Sequence, residues 1–289
     1  MLKLKNLLFE ASITGQTQGS EEIGGYKGFF KLSEMEAYKK WLKKTLRIEL
    51  VEGINDPGIL KAVFLAGGPG SGKTYVAKGL FGIPERVNVS QSGMKMVNSD
   101  KELKYLLNKF GFGTDLDSLP DEVFANLTNP KDPKYSGLRS FAKDLTGQRR
   151  KLYQDGRLGM IIDGTGDDFK KIAAEKKELE AVGYDTYMIF VNTTLEVALQ
   201  RNENRDRVLP EKIVRDSHRA VNQNIGGFQG LFGSGNFMIV DNNDYQDEKA
   251  AQKRFNMLVR QGLSKFIKRP IKNKRGLSWI RKNKILGKK

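Results

Sequence analysis

The eight residues 67–74, GGPGSGKT, constrain the fold of this chain more than any other segment. A short apolar run, AVFLA, precedes them, and a helical pattern follows through about Leu80. Glycines let the backbone turn so tightly that successive N–H groups converge on one anion, and a helix N-terminus adds positive potential at the same point. This pattern is typical of a loop that binds the phosphates of a nucleotide.

The loop defines the first candidate site. Lys73 is placed to reach the β- and γ-phosphates, and the hydroxyl of Thr74 is placed to bind Mg²⁺. We therefore expect ATP and Mg²⁺ as cofactors, although the loop specifies only the phosphate donor and not the acceptor. The predicted nucleotide-binding residues are Gly67, Gly68, Pro69, Gly70, Ser71, Gly72, Lys73 and Thr74.

Short apolar segments alternate with helical patterns on both sides of the loop. Because such alternation is typical of parallel strands joined by helices, it predicts an α/β fold with helices on both faces of a parallel sheet. Five segments read as strands: 62–67, 93–100, 159–166, 184–192 and 237–243.

Three ranges divide the chain by pattern. Residues 1–60 form an N-terminal arm in which an amphipathic helix begins near Ser33, and residues 61–263 form the core domain. Residues 264–289 contain eleven lysines and arginines and no acidic residue, in a chain whose net charge is +16. This basic tail is suited to nucleic acid, and a solvated tail with no specific ligand is the alternative.

Composition excludes several classes of site. The chain has no cysteine, which excludes disulfides and thiolate metal sites, and its single histidine, His218, argues against a zinc site. No apolar run approaches the ~20 residues that a membrane span requires. We expect no membrane partner and a soluble, cytoplasmic protein, with the first residues acting as a docking arm rather than an export signal.

The carboxyl ends of the predicted strands carry further candidate residues, since ligands of open parallel sheets collect there. Asp100 follows the second strand and is a candidate general base; a helix-capping role with Ser99 and Glu102 is the alternative. Asp163 ends the third strand and could orient Mg²⁺, or could be a turn carboxylate, and Thr165 would face the same cleft.

Arginines follow the fourth strand. Arg201 and Arg205 share a helical face and Arg207 follows, which fits a lid that stabilises the charge of a transferred phosphate. A salt-bridged surface helix is the alternative. The five glycines of 226–235 suggest either a mobile flap or a plain connector, and His218 is expected at the surface.

The segments from Lys61 to Asn243 resemble the zeta-toxin and polynucleotide-kinase branch of P-loop kinases. The resemblance covers about two-thirds of the chain and implies a five-stranded parallel sheet of order 2-3-1-4-5 in a three-layer P-loop NTPase fold. It rests on five motifs in this order: GGPGSGKT, VNSD, IIDGTG, RNENRDRVLP and IVDNN.

The same resemblance implies roles for single residues. Asp100 matches the general base of the family, Asp163 and Thr165 match cleft positions, and Arg201 and Arg205 match the lid arginines. Arg207 is expected beside the substrate. The ending Asp241-Asn242 resembles the family's fifth strand near the adenine pocket, with no role assigned.

The sequence therefore predicts an ATP-dependent kinase that phosphorylates a hydroxyl of a nucleic-acid 5′ end, a nucleotide or a nucleotide-sugar. The alternative is a nucleotide-binding structural or assembly protein that docks on a partner chain or nucleic acid without phosphoryl transfer. An ATPase motor is disfavoured because Gly164 stands where a hydrolytic carboxylate usually follows the Walker-B aspartate.

Overall fold

The computed structural model describes residues 22–23, 26–27, 29–31, 56, 58–81, 93–109, 135–204, 208–243 and 262–286. The helix predicted near Ser33 lies outside these ranges. The described residues form two compact units. The first combines 1–51 with 98–152, and the second combines 52–97 with 153–289. The predicted division of the chain rests on sequence pattern rather than on contacts and stays a prediction, with the ranges 1–60, 61–263 and 264–289.

The second unit is built on a five-stranded sheet in which every neighbouring pair is parallel. Its strand order is β2-β3-β1-β4-β5, which confirms the predicted order 2-3-1-4-5. The strands are β1 (Lys61–Ala66), β2 (Lys95–Val97), β3 (Met160–Asp163), β4 (Asp185–Asn192) and β5 (Phe237–Asp241).

Helices connect these strands and follow the last one. They are α1 (Lys73–Phe81), α2 (Asp100–Lys109), α3 (Leu138–Asp155), α4 (Phe169–Ala181), α5 (Leu195–Glu203), α6 (Glu211–Gln223), α7 (Ile225–Phe232) and α8 (Lys274–Leu286). Residues 262–268 are also helical. Among the described residues, no helix is both long and apolar enough to cross a membrane.

The core of the second unit has two layers because side chains of a strand alternate between the faces of a sheet. On one face, Val63 and Leu65 pack with Val76 of α1 and with Leu263 and Phe266. On the other face, the ring of Phe64 meets that of Phe232 edge-on, with centroids 5.4 Å apart. Every residue of β1 is buried, as expected for the central strand of a sheet covered on both faces.

The glycine-rich segment 226–235 is not the predicted flap or loop, since most of it is helix α7. Phe228 and Phe232 are four residues apart and both are buried, so one face of the helix packs on the sheet. A Cβ at Gly227 would lie 2.9 Å from the ring of Phe169, which explains why a glycine fits there. Burial of the two rings offsets the entropy that glycines lose in a helix.

The basic C-terminal helix α8 is fixed to the amino-terminal edge of the sheet. Asp185, the first residue of β4, accepts hydrogen bonds from the backbone N–H groups of Lys272 and Asn273, both at 3.0 Å. The side chain of Asn273 donates to the carbonyls of Glu180 and Tyr184 at 2.8 and 3.2 Å. The guanidinium of Arg157 lies 5.9 Å from the ring centroid of Trp279. The tryptophan of this segment thus contacts another part of the second unit.

A buried ion pair lies at the same edge. Lys61 Nζ is 3.0 Å from Asp185 Oδ2, and the side chains are 3% and 7% exposed. Burial lowers the pKa of Lys61 below its usual 10.5, and the carboxylate of Asp185 opposes that shift.

The first unit contains helix α2, most of helix α3 and two short antiparallel strand pairs. Phe29–Lys31 pairs with Tyr135–Gly137, and Glu22–Ile23 pairs with Tyr26–Lys27. Within this unit, a guanidinium N–H of Arg149, on α3, donates to the carboxylate of Glu102 on α2. The carboxylate of Glu102 is therefore engaged by Arg149, whereas the capping alternative assigns it to the start of α2.

Candidate phosphate site at the carboxyl edge of the sheet

The loop 67–72 joins β1 to α1 in a conformation that requires glycine. Gly70 and Gly72 have φ of 76° and 79°, which residues with a side chain rarely adopt. A Cβ at Gly70 would lie 2.1 Å from the carbonyl oxygen of Ala198 in α5, so the loop packs directly on that helix. The bond from the Gly67 N–H to the Thr165 carbonyl, at 2.9 Å, ties the loop to the residues that follow β3.

Helix α1 begins at Lys73, so its first N–H groups lie at the loop. Lys73 Nζ donates to the carbonyl of Gly67 and, at 3.4 Å, to that of Gly68, which places the ammonium inside the loop. Thr74 is exposed. The buried hydroxyl of Ser71 has no hydrogen-bond partner among the described residues. Backbone donors, an ammonium and an accessible hydroxyl together suit a magnesium-bound phosphate.

The end of β3 lies beside the loop. In the register of the sheet, Asp163 is opposite Leu65, and the N–H of Gly164 donates to the Leu65 carbonyl at 3.0 Å. Asp163 and Thr165 are both half-buried. The hydroxyl of Thr165 donates to the carboxylate of Asp167. Two of the predicted residues, Asp163 and Thr165, thus lie at the same edge as the phosphate loop.

Helix α5 and the end of β5 close another side of the loop. Arg201 Nη1 donates to the carbonyl of Asn242 at 2.7 Å, and the side chain of Asn242 donates to the carbonyl of Ser71 at 2.8 Å. A Cβ at Gly72 would lie 3.6 Å from Arg201 Nη1. Arg201 is therefore brought to the loop, while Arg205 and Arg207 lie outside the described residues.

His218 also lies at this site, contrary to the expected surface position. It is half-buried, and its Nε2 is 2.9 Å from the carbonyl of Thr193. Its Cα would be 3.6 Å from a Cβ on Gly68. The sequence places His218 in a helix of charged residues. It gives no signal for the approach to Gly68, because Gly68 is more than a hundred residues away in the chain.

A groove of about 560 Å³ runs along α6 beside His218. Its other lining residues are Leu195, Arg215, Arg219, Asn222 and Gln223. Arg215 and Arg219 supply positive charge to this lining, and Arg215 also donates to Glu211 of the same helix at 2.7 Å.

Asp100 belongs to the first unit, whereas the loop belongs to the second. It is the first residue of α2, it is exposed, and its N–H donates to Asn98 Oδ1 at 2.6 Å. The role of Asp100 as general base stays a prediction.

Acidic residues do not gather at the loop as they do in an all-protein metal site. Among the described residues, no three His, Asp or Glu side chains form a group that could hold a metal ion. Mg²⁺ commonly uses one or two protein carboxylates together with phosphate oxygens and water, so the magnesium roles of Thr74 and Asp163 do not require such a group and stay predictions.

Solved structures include chains similar to this one. A structure from a study of the PezAT chromosomal toxin–antitoxin system of Streptococcus pneumoniae is 15% identical; the match covers 89% of this chain and 98% of that chain, with a TM-score of 0.45. Shikimate kinase from Acinetobacter baumannii, in complex with shikimate, is 15% identical over 72% of this chain and 95% of its own, with a TM-score of 0.36. The complex AvrRxo1-ORF1:-ORF2 with ATP is 14% identical over 72% of this chain and 62% of that chain, with a TM-score of 0.40.

No protein-family model matches the sequence, and no curated protein matches it. The fold class therefore rests on the molecule's own geometry. Five parallel strands in the order 2-3-1-4-5, with a glycine-rich phosphate loop between the central strand and the helix that follows it, constitute the α/β P-loop NTPase fold that the sequence predicts.

Proposed function

We propose that this protein is an Mg²⁺-ATP-dependent kinase that transfers the γ-phosphate of ATP to a hydroxyl group. The observation that carries the proposal is the placement of Lys73 inside a glycine loop that also contacts Arg201's partner Asn242 and the carbonyl of Thr165. Residues that follow β3 and β5 thus hold the loop in place around the ammonium of Lys73, an arrangement that suits the phosphates of ATP.

The loop residues bind the donor. In the proposed cycle, Lys73 exchanges its bonds to the Gly67 and Gly68 carbonyls for the β- and γ-phosphate oxygens. The loop N–H groups, whose orientation the glycines fix, hold the same phosphates. Thr74 and Asp163 would hold Mg²⁺, which supplies charge neutralisation between the β- and γ-phosphates when it is bound.

The remaining predicted residues act on the acceptor. Asp100 accepts the proton of the acceptor hydroxyl while that oxygen forms a bond to the γ-phosphorus. The bond from the γ-phosphorus to the β,γ-bridging oxygen breaks, and ADP leaves with that oxygen. Arg201 and Arg205 stabilise the charge on the transferred group, and Thr165 and Arg207 contact the acceptor.

ADP release, measured with and without a panel of hydroxyl acceptors, tests this proposal. The panel contains a 5′-hydroxyl oligonucleotide, nucleosides, nucleotide-sugars and small polyols. Acceptor-stimulated ADP release that is lost in Lys73→Ala supports the kinase. ATP binding without turnover for any acceptor favours the alternative, a nucleotide-binding structural or assembly protein.

A second candidate function, nucleic-acid binding through the basic C-terminal segment, is favoured by the exposed cations of α8. Five of them are exposed on one helix without an acidic residue: Lys274, Arg275, Arg281, Lys282 and Lys284. The anchor at Asp185 fixes this helix at the amino end of β4, whose eight residues span about 25 Å. Nucleic acid would therefore bind at the edge of the sheet opposite to the phosphate loop.

Removal of positive charges from α8 tests whether this helix binds nucleic acid or is only solvated. The triple variant Arg281→Gln, Lys282→Gln, Lys284→Gln should lose at least about tenfold in affinity for a single-stranded RNA homopolymer. The slope of log K against log salt should fall by about 2, because each phosphate contact contributes about 0.7. A triple Lys→Gln variant at 170, 171 and 177 in α4, whose lysines are also exposed, is the matched control. Equal losses of RNA affinity in the two triple variants would refute the proposal that α8 binds nucleic acid.

A further inference from the structure

We propose that Asn242 is a positioning residue that aims the backbone of the phosphate loop at its ligand. This inference rests on the proposed nucleotide binding and adds a residue outside the loop motif. Asn242 follows the last residue of β5 and lies 170 positions after Gly72 in the sequence. Its three hydrogen bonds join β4, α5 and the loop.

The backbone of Asn242 is fixed on both sides. Its N–H donates to the carbonyl of Asn192, the last residue of β4, at 2.9 Å. Its own carbonyl accepts from Arg201 Nη1 at 2.7 Å. Both bonds hold the main chain of Asn242 beside the loop, and from there the side-chain Nδ2 donates to the carbonyl of Ser71 at 2.8 Å.

That last bond determines where the next N–H points. The Ser71 carbonyl and the Gly72 N–H belong to one planar trans peptide, in which C=O and N–H point in opposite directions. While Asn242 holds the carbonyl, the Gly72 N–H is directed away from Asn242. Backbone N–H groups of such loops bind the α- and β-phosphates, so a rotation of this peptide would replace a donor by a carbonyl oxygen that repels them.

Gly72 accommodates this arrangement. Its φ of 79° permits the turn, and a Cβ there would lie 2.2 Å from Asn242 Nδ2. A side chain at this position would therefore displace the amide that holds the loop. The glycine before Lys73 serves both the turn and the approach of Asn242.

The experiment compares two variants of the full chain, Asn242→Ala and Asn242→Asp, by binding of ATP and ADP and by melting temperature. Alanine removes one hydrogen bond, and we expect Kd to rise about fivefold to tenfold. Aspartate keeps the shape of the side chain but cannot donate, and its oxygen faces the Ser71 carbonyl. We expect a rise of about 30-fold to 100-fold, larger than for alanine.

ATP and ADP should lose affinity by the same factor, because the Gly72 N–H faces phosphates that both nucleotides carry. Lys73→Ala provides the contrast, since Lys73 reaches the γ-phosphate and its loss should weaken ATP more than ADP. A role in packing alone would lower the melting temperature of the alanine variant and leave the nucleotide affinity of the folded variant within twofold of the wild type.

Asn224→Asp is the matched control. Asn224 also clamps backbone carbonyls through its amide, those of Gly166 and Asp167 at 3.0 Å each, but it holds no peptide of the phosphate loop. Its nucleotide Kd should stay within about threefold of the wild type.

Five outcomes are distinguishable. If wild type binds ATP and both variants at position 242 are folded with Kd values within twofold of the wild type, the proposed role of Asn242 is wrong. An alanine variant weaker than the aspartate variant, or an Asn224→Asp loss equal to that of Asn242→Asp, also overturns it. Wild type that binds no nucleotide refutes the proposed function instead. The order wild type, alanine, aspartate, with equal factors for ATP and ADP, supports the inference.

Discussion

Substitution of Asp185 by asparagine is expected to destabilise the fold strongly, because it leaves Lys61 as a buried cation without its counter-charge. The two side chains are 3.0 Å apart and almost fully enclosed. Removal of one partner of a buried ion pair costs about 3–5 kcal/mol of the free energy of unfolding. Asparagine keeps the shape and one acceptor oxygen for the N–H groups of Lys272 and Asn273, so most of the loss comes from the charge.

The pH dependence has a defined sign. Burial already lowers the pKa of Lys61, and loss of the carboxylate removes the main contribution that raises it, so the pKa falls further in the variant. Between that pKa and 10.5, the unfolded chain binds more protons than the folded chain, and stability therefore rises with pH. Asp185→Asn should recover part of its lost stability between pH 7 and pH 9.

Urea denaturation at pH 7 and pH 9 measures both effects. The double variant Lys61→Met, Asp185→Asn is the control, since it removes the buried cation as well, and we expect it to regain about 1–2 kcal/mol over Asp185→Asn at pH 7. If Asp185→Asn unfolds within about 1 kcal/mol of the wild type, or if the double variant is no more stable than the single one, the account of this ion pair is wrong.

Three further substitutions test the packing around the phosphate loop and helix α7. Gly70→Ala should weaken nucleotide binding at least about tenfold, because its Cβ would meet the Ala198 carbonyl at 2.1 Å and its φ of 76° is left-handed; wild-type affinity would contradict this loop geometry. Phe228→Ala should lower the free energy of unfolding by about 3–5 kcal/mol in urea, since the ring is fully buried. Gly230→Ala on the same helix should instead raise it by about 0.5–1 kcal/mol, because a Cβ there meets nothing within 4 Å; a loss would argue against the helix.

The sequence predicts well those elements whose conformation depends on residues that are adjacent in the chain. The strand β1 and the loop after it are contiguous in the chain, and an apolar run followed by glycines and Lys-Thr leaves few other conformations. Apolar strands alternating with helices also predict a parallel sheet. The strand order follows from the family resemblance, and the structure confirms it.

Contacts between distant residues account for what the sequence does not predict. Helix α7 has the composition of a loop, and the burial of Phe228 and Phe232 favours its helical conformation. The contact of His218 with Thr193 and the amide clamp of Asn242 depend on how strands and helices pack. Neither residue type carries a periodic signal for such a role.

The contacts of the basic tail are likewise not predicted by its composition. A run of cations without acids predicts an accessible segment, and its lysines are indeed exposed on α8. Composition does not reveal that Asp185 binds the backbone just before α8 or that Arg157 lies over the ring of Trp279. These contacts place the cations at the amino-terminal edge of the sheet, opposite to the phosphate loop, so the proposed nucleic-acid surface is separate from the loop that would bind ATP.

The most direct test of the proposed kinase is transfer of radiolabelled γ-phosphate from ATP to the acceptor panel, with wild type, Lys73→Ala and Asp100→Asn compared side by side. We predict that wild type labels one acceptor class and that Lys73→Ala labels none. Asp100→Asn should bind ATP normally and transfer at least about a hundredfold more slowly. Undiminished transfer by Asp100→Asn would refute its role as base, and ATP binding by wild type without labelling of any hydroxyl would contradict the kinase.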